Sequence, residues 1–159
     1  MLGRTYDTQN CSAARTLEIA GERWSLLIIR DALFRGMSRY SQFERSLGIA
    51  PNILASRLAW FVESGLMKMS PVSDESEISE YLLTEKGKEL GEVVVALTAW
   101  GNRWSAPKGP PIIYEHQECG GTVNPVIKCE SCARELQSED LIIRPGPGAR
   151  RTSTGPQVS

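Results

Sequence analysis

The sequence predicts an α+β fold, mainly α, on three observations. Two short amphipathic helices are separated by a glycine turn within residues 40–64, two extended stretches follow them, and a long helix with an apolar stripe spans about 85–104. A separate feature, HQECGGTVNPVIKCESC at 116–132, gathers the only histidine and three of the four cysteines.

TLEIAGERWSLLIIRDALF, 16–34, is apolar on most faces, with Leu17, Ala20, Trp24, Leu27, Ile28 and Leu33 all suited to burial, and predicts one central helix. Gly36 can end that helix and Ser38 can cap the next. YSQFERSL, 40–47, puts Tyr40, Phe43 and Leu47 on one side. Gly48 accepts a left-handed backbone and Pro51 suits the first turn of another helix. That helix, from Asn52 to about Ser64, places Leu54, Leu58, Phe61 and Val62 in one buried stripe, and Gly65 closes it. LMKMSPVS and EISEYLLT, joined by the polar tip Asp74, Glu75, Ser76 and Glu77, predict a hairpin. Thr84 can cap the last helix, where Leu90, Val93, Val94, Leu97, Trp100 and Trp104 recur at steps of three and four. The expected organisation is thus a main domain over 1–104, a stiff Pro-containing linker over 105–115, a small Cys/His extension over 116–148 and a disordered tail over 149–159. No internal repeat is evident.

A chain of 159 residues that is 41% hydrophobic can build one domain with a real core. The longest apolar run, WSLLIIRDALF, is interrupted by Arg30 and Asp31, so no membrane span is expected. The N-terminus lacks the basic start and apolar run of a secretory signal, and a cytoplasmic location is the expectation. Thiols stay reduced there, which makes clustered cysteines metal ligands or redox groups before structural disulfides.

Two short helices joined by a glycine turn and followed by a hairpin compose a winged helix-turn-helix. Its second helix enters the major groove with N-terminal residues toward base edges. Asn52 can offer a bidentate amide to adenine, Ser56 can bond a base or a phosphate, and Arg57 can take guanine or a phosphate. Arg39 and Pro51 complete the candidate DNA-binding set. Arg35, Arg39, Arg45, Arg57 and Lys68 outnumber Glu44 and Glu63 in this segment, whereas the whole chain carries a formal charge of -1. A positive segment in a mildly acidic chain fits phosphate attraction confined to one face. Protein contacts also use this geometry, and Arg57 could equally be an ion-pair partner and Trp60 a packing residue.

Cys11-Ser12-Ala13-Ala14, LEIAGERWSLLIIRDAL, SRYSQFERSLGIAPNILASRLAWFVESGL, EYLLTEKGKEL and AWGNRW, in order from Cys11 to Trp104, resemble the HxlR-type winged-helix transcriptional regulators, relatives of the MarR group. The resemblance implies a homodimer that binds double-stranded operator DNA through two recognition helices. It also implies a dimer built largely from terminal helices, which suits the stripe from Leu90 to Trp104. The acidic tip Asp74, Glu75 and Glu77 departs from the basic wings common in such proteins, because carboxylates repel phosphates. Cys11 aligns with a cysteine that senses oxidants or electrophiles in some members, and a small buried residue capping the core is its other reading.

His116-x2-Cys119 and Cys129-x2-Cys132 have the spacing that lets four ligands converge tetrahedrally, and zinc is the metal this set most favours, as a structural clip. Gly120 suits the first turn; Ala133 stands where a glycine would be expected in the second. A longer subset of HxlR-type proteins carries a similar tail with a following Pro-Gly-Pro-Gly, matched here at Pro145 to Gly148. A metal-free hairpin, a Cys129/Cys132 redox pair and a surface histidine are the competing readings. The residues leave open the effector, an aromatic pocket built from Trp24, Trp60, Trp100 and Trp104, and two rival functions: a protein-binding module and a CxxC thiol oxidoreductase.

Overall fold

The computed structural model of the chain describes residues 5–73 and 78–149. The expected wing tip, Asp74 to Glu77, and the tail beyond Ala149 lie outside the described residues. Seven elements form the main body: α1 (Ser12–Ala20), α2 (Ser25–Phe34), α3 (Tyr40–Leu47), α4 (Pro51–Glu63), β1 (Met67–Pro71), β2 (Ser79–Leu83) and α5 (Glu85–Trp104).

The single helix expected over 16–34 is two helices. Gly21 ends α1 by donating its N–H to the Leu17 carbonyl, and the chain turns before Ser25. Ala20 at the end of α1 and Ile28 in α2 are both buried. Leu17, expected in the interior, is exposed. Ser38 does not cap α3 as expected. The Gln42 side chain, one turn into the helix, accepts both the Ser38 and Arg39 N–H groups, and the Ser38 hydroxyl donates to Glu80 at 2.9 Å.

Gly48 adopts φ +58° and lets α3 turn directly into α4, with Ile49 buried in the corner. Pro51 opens α4, where its missing N–H costs nothing. The hairpin pairs Met67 with Leu83 through Pro71 with Ser79. It is anchored at its base, where the Thr84 N–H bonds the Leu66 carbonyl, and at mid-strand, where the Tyr81 N–H bonds the Ser38 carbonyl. Thr84 also caps α5 by accepting the Gly87 N–H. A Cβ at Gly87 would collide with the Leu66 carbonyl, so glycine permits the close approach of α5 to the start of the wing.

Ile28, Ile29, Phe43, Ile49, Leu54, Leu58, Phe61, Leu66, Met67 and Val94 form the core. One fully buried charge is stitched into it: Asp31 accepts from Arg30 and from the Ser46 hydroxyl at 2.7 Å, with Arg35 at 3.7 Å. This network ties α2 to the end of α3; in the sequence alone Asp31 stands out only as a break in an apolar run.

After α5 the chain returns along the α2–α5 surface. Asn102 donates to the Ile112 carbonyl at 2.7 Å, and the rings of Phe34 and Tyr114 lie 4.7 Å apart. Asn10 reaches the Gly148 carbonyl at 3.1 Å. The extension contains β3 (Ile127–Lys128) paired with β4 (Glu135–Leu136), an isolated bridge between Glu115 and Thr122, and a 3-10 turn at Ser138–Asp140. No residue between Ser105 and Ala149 is fully buried.

Candidate nucleic-acid interface

The α4 helix has two faces because its apolar residues recur at helical spacing. Leu54, Leu58 and Phe61 are fully buried, while Pro51, Asn52, Ile53, Ala55, Ser56 and Ala59 are exposed. Its N-terminal end is fixed by the Tyr40 hydroxyl, which donates to the Pro51 carbonyl at 2.6 Å. Desolvation raises the Tyr40 phenol above its ordinary pKa, with the Glu44 charge adding to it, which keeps it a neutral donor. Asn52 and Ser56, one turn apart, thus project together from a braced helix. Arg39 stands just before α3, half-exposed, with Glu80 at 3.5 Å.

Arg57 is placed differently from the other candidates. Its side chain is 13% exposed and faces Glu22 in the α1–α2 turn at 3.4 Å. Trp60 also turns that way and donates its indole N–H to the Ile19 carbonyl at 3.2 Å. These two side chains brace the back of α4 against α1. Glu22 lies too far away in sequence for periodicity to reveal the pairing.

The four tryptophans do not share one pocket. Trp24 and Trp60 pack against the core, whereas Trp100 and Trp104 line an open groove of about 500 Å³ with Arg103, Pro110 and Pro125. On α5, Gly87, Gly91 and Val94 face inward. Val93, Leu97, Trp100 and Trp104 stand on the surface, the last three 52%, 61% and 65% exposed.

Cys11 precedes α1 and is exposed, which removes the reading of a buried core cap. The backbone N–H groups of Ala14 and Ala13 hold its thiol below the ordinary cysteine range. Of the expected metal ligands, His116 Nδ1 lies 3.3 Å from Cys119 Sγ, and Cys129 is hydrogen-bonded by Cys132. Among the described residues, no three His, Cys, Asp or Glu side chains gather into one metal-holding group, so the two pairs stand apart. No helix of the described residues is long and apolar enough to cross a membrane.

The model of the HxlR-like helix-turn-helix family matches residues 19–109. An uncharacterised helix-turn-helix-type transcriptional regulator of Mycobacterium tuberculosis is 43% identical over 138 residues, covering 86% of this chain and 87% of that protein. Among solved structures, PA1607, described as a transcription factor, is similar with a TM-score of 0.78 and 35% identity over 87% of this chain and 97% of its own. PA1374 of Pseudomonas aeruginosa, described likewise, gives 0.62 and 37% over 88% and 95%. The alignment to the mycobacterial protein is longer than the segment matched by the family model, so that relative shares sequence beyond the winged helix.

Proposed function

Because the chain belongs to the HxlR-like helix-turn-helix family and is a transcriptional regulator, we propose that it binds operator DNA as a homodimer, with one α4 helix in each of two major-groove segments. The observation that carries this reading is the division of α4: a fully buried stripe fixes the helix, and Asn52 and Ser56 stand exposed one turn apart on its outward end. Asn52 serves base readout, Ser56 a base or phosphate, and Arg39 and the start of α4 at Pro51 flank the phosphate backbone. Arg57, held by Glu22, sets the orientation of the helix and reaches DNA only if that pair opens.

The second copy is supported by α5. Val93, Leu97, Trp100 and Trp104 repeat at steps of four, three and four along an outward stripe, and leaving two indoles in water forfeits roughly 25 cal/mol for each Å² of apolar surface that a partner could cover. A second copy presents the same stripe, which makes the contact self-complementary.

A nuclease footprint on DNA upstream of the gene, at two salt concentrations, tests this function. A protected inverted repeat with half-sites one or two helical turns apart, weakening as salt rises, is the expected result. Absence of protection at low salt, on this DNA and on a random genomic pool, would favour a protein-binding module instead.

A further inference from the structure

The extension contains a structural repeat that its sequence conceals. Glu115 bridges Thr122, and thirteen residues later Lys128 pairs with Glu135. Inside the first turn His116 N–H bonds the Gly121 carbonyl and Gly120 N–H bonds the His116 carbonyl; inside the second, Cys129 N–H bonds the Arg134 carbonyl and Ala133 N–H bonds the Cys129 carbonyl. Every partner is shifted by the same thirteen residues. The residue after Cys119 and the residue after Cys132 are both left-handed, Gly120 at φ +67° and Ala133 at φ +58°. Ala133 is the only non-glycine with positive φ among the described residues. This conformation costs an alanine roughly 1 kcal/mol, so the turn geometry, not residue preference, dictates it. The two turns are thus one backbone device built twice, although of their eight paired positions only Cys119 and Cys132 are identical.

We propose that these twin turns are the two halves of one structural zinc site, with His116 and Cys119 as ligands from the first and Cys129 and Cys132 from the second. In each turn the ligand positions are the same, first and fourth, and the chain reversal brings the two side chains toward each other. The 3.3 Å between His116 Nδ1 and Cys119 Sγ is close to the ~3.6 Å edge that a nitrogen and a sulfur share on a zinc tetrahedron. The two pairs are not yet gathered around one point, so binding draws the second turn to the first. The three thiols give up their protons to solvent, and three thiolates with a neutral imidazole complete the coordination sphere, which leaves no open position for catalysis.

The burial pattern gives the reason for a metal. From Ser105 to Ala149 only Ala106, Tyr114, Cys129 and Leu136 are half-buried, and the rest are exposed. Ile113, Val126, Ile142 and Ile143 are exposed. A segment with no buried side chain cannot offset its own ordering entropy by apolar burial, and metal ligation is the means that its residues provide.

The test is the metal content of full-length protein purified reduced, without chelator and without a polyhistidine tag. About one zinc per chain is expected in the parent and in Cys11→Ser, falling to less than a tenth in Cys119→Ser and Cys129→Ser. Cobalt substituted into the parent is expected to give the intense visible bands of a tetrahedral thiolate site, weakened in both ligand variants. Circular dichroism of the variants checks that the helical body is retained. Metal-free parent protein that develops no cobalt bands, or a Cys129–Cys132 disulfide that forms while zinc is present, would overturn the proposal. The footprint is read separately, so failure of the zinc site and failure of DNA binding are distinguishable.

Discussion

Between Ile28 and Val94 ten apolar side chains close on one another, whereas from Ser105 to Ala149 no side chain is fully buried. Both regions have regular hydrogen bonding, the first in five helices and a hairpin, the second in two tight turns. Backbone bonds alone contribute little net stability, because water satisfies the same groups in the unfolded chain. The body is therefore held by apolar burial, and the extension by its docking contacts at Tyr114, Ile112 and Gly148. Interior mutations therefore act first on the body, and they reach the extension only through the surfaces on which it docks.

The sharpest break is Phe61→Ala. It empties the middle of the core beneath the exposed face of α4 and should cost about 3–5 kcal/mol, read as a fall in the denaturant midpoint of the helical signal. Asp31→Ala comes next, at about 1–3 kcal/mol, since Ser46 and Arg30 lose their acceptor while Arg35 is half-exposed and recovers solvation. On the outer face of α5 the stability of the protomer is not at stake. Trp100→Glu should weaken self-association by tenfold or more in sedimentation experiments while the far-ultraviolet spectrum stays native, because it puts a charge into the stripe that a second copy would cover. Ser25→Ala has the smallest effect. The Ser25 hydroxyl is buried without a hydrogen-bond partner, so its removal should leave the midpoint unchanged or slightly raised, within about 1 kcal/mol.

The body was largely legible because its signals are local. Thr84 before α5, Gly48 between α3 and α4, and Pro51 at the first turn of α4 each set a boundary by their own backbone chemistry, and all three stand where expected. The break at Gly21 left no local mark, because Gly-Glu-Arg is compatible with a continuing helix and no proline stands there to end one. Asp31 was missed because a carboxylate in an apolar run reads as an interruption; its partner Ser46 comes from another helix. The inward turn of Arg57 depends on Glu22, thirty-five positions earlier. In the extension, the ligand spacing was visible but the repeat was not, since equivalence of backbone hydrogen bonds leaves almost no trace in side-chain identity. Ala133 shows why: alanine occupies the glycine-type position without changing the turn.

The proposed role of the exposed end of α4 is to read DNA. The most direct test is the affinity of Asn52→Ala and of Ser56→Ala for the footprinted operator and for random duplex, across a salt series. Asn52→Ala is expected to lower operator affinity by about 1–3 kcal/mol, roughly five- to 150-fold, with little change on random DNA and an unchanged salt slope. Equal loss on operator and random duplex, or parent affinity for both in the two variants, would contradict it.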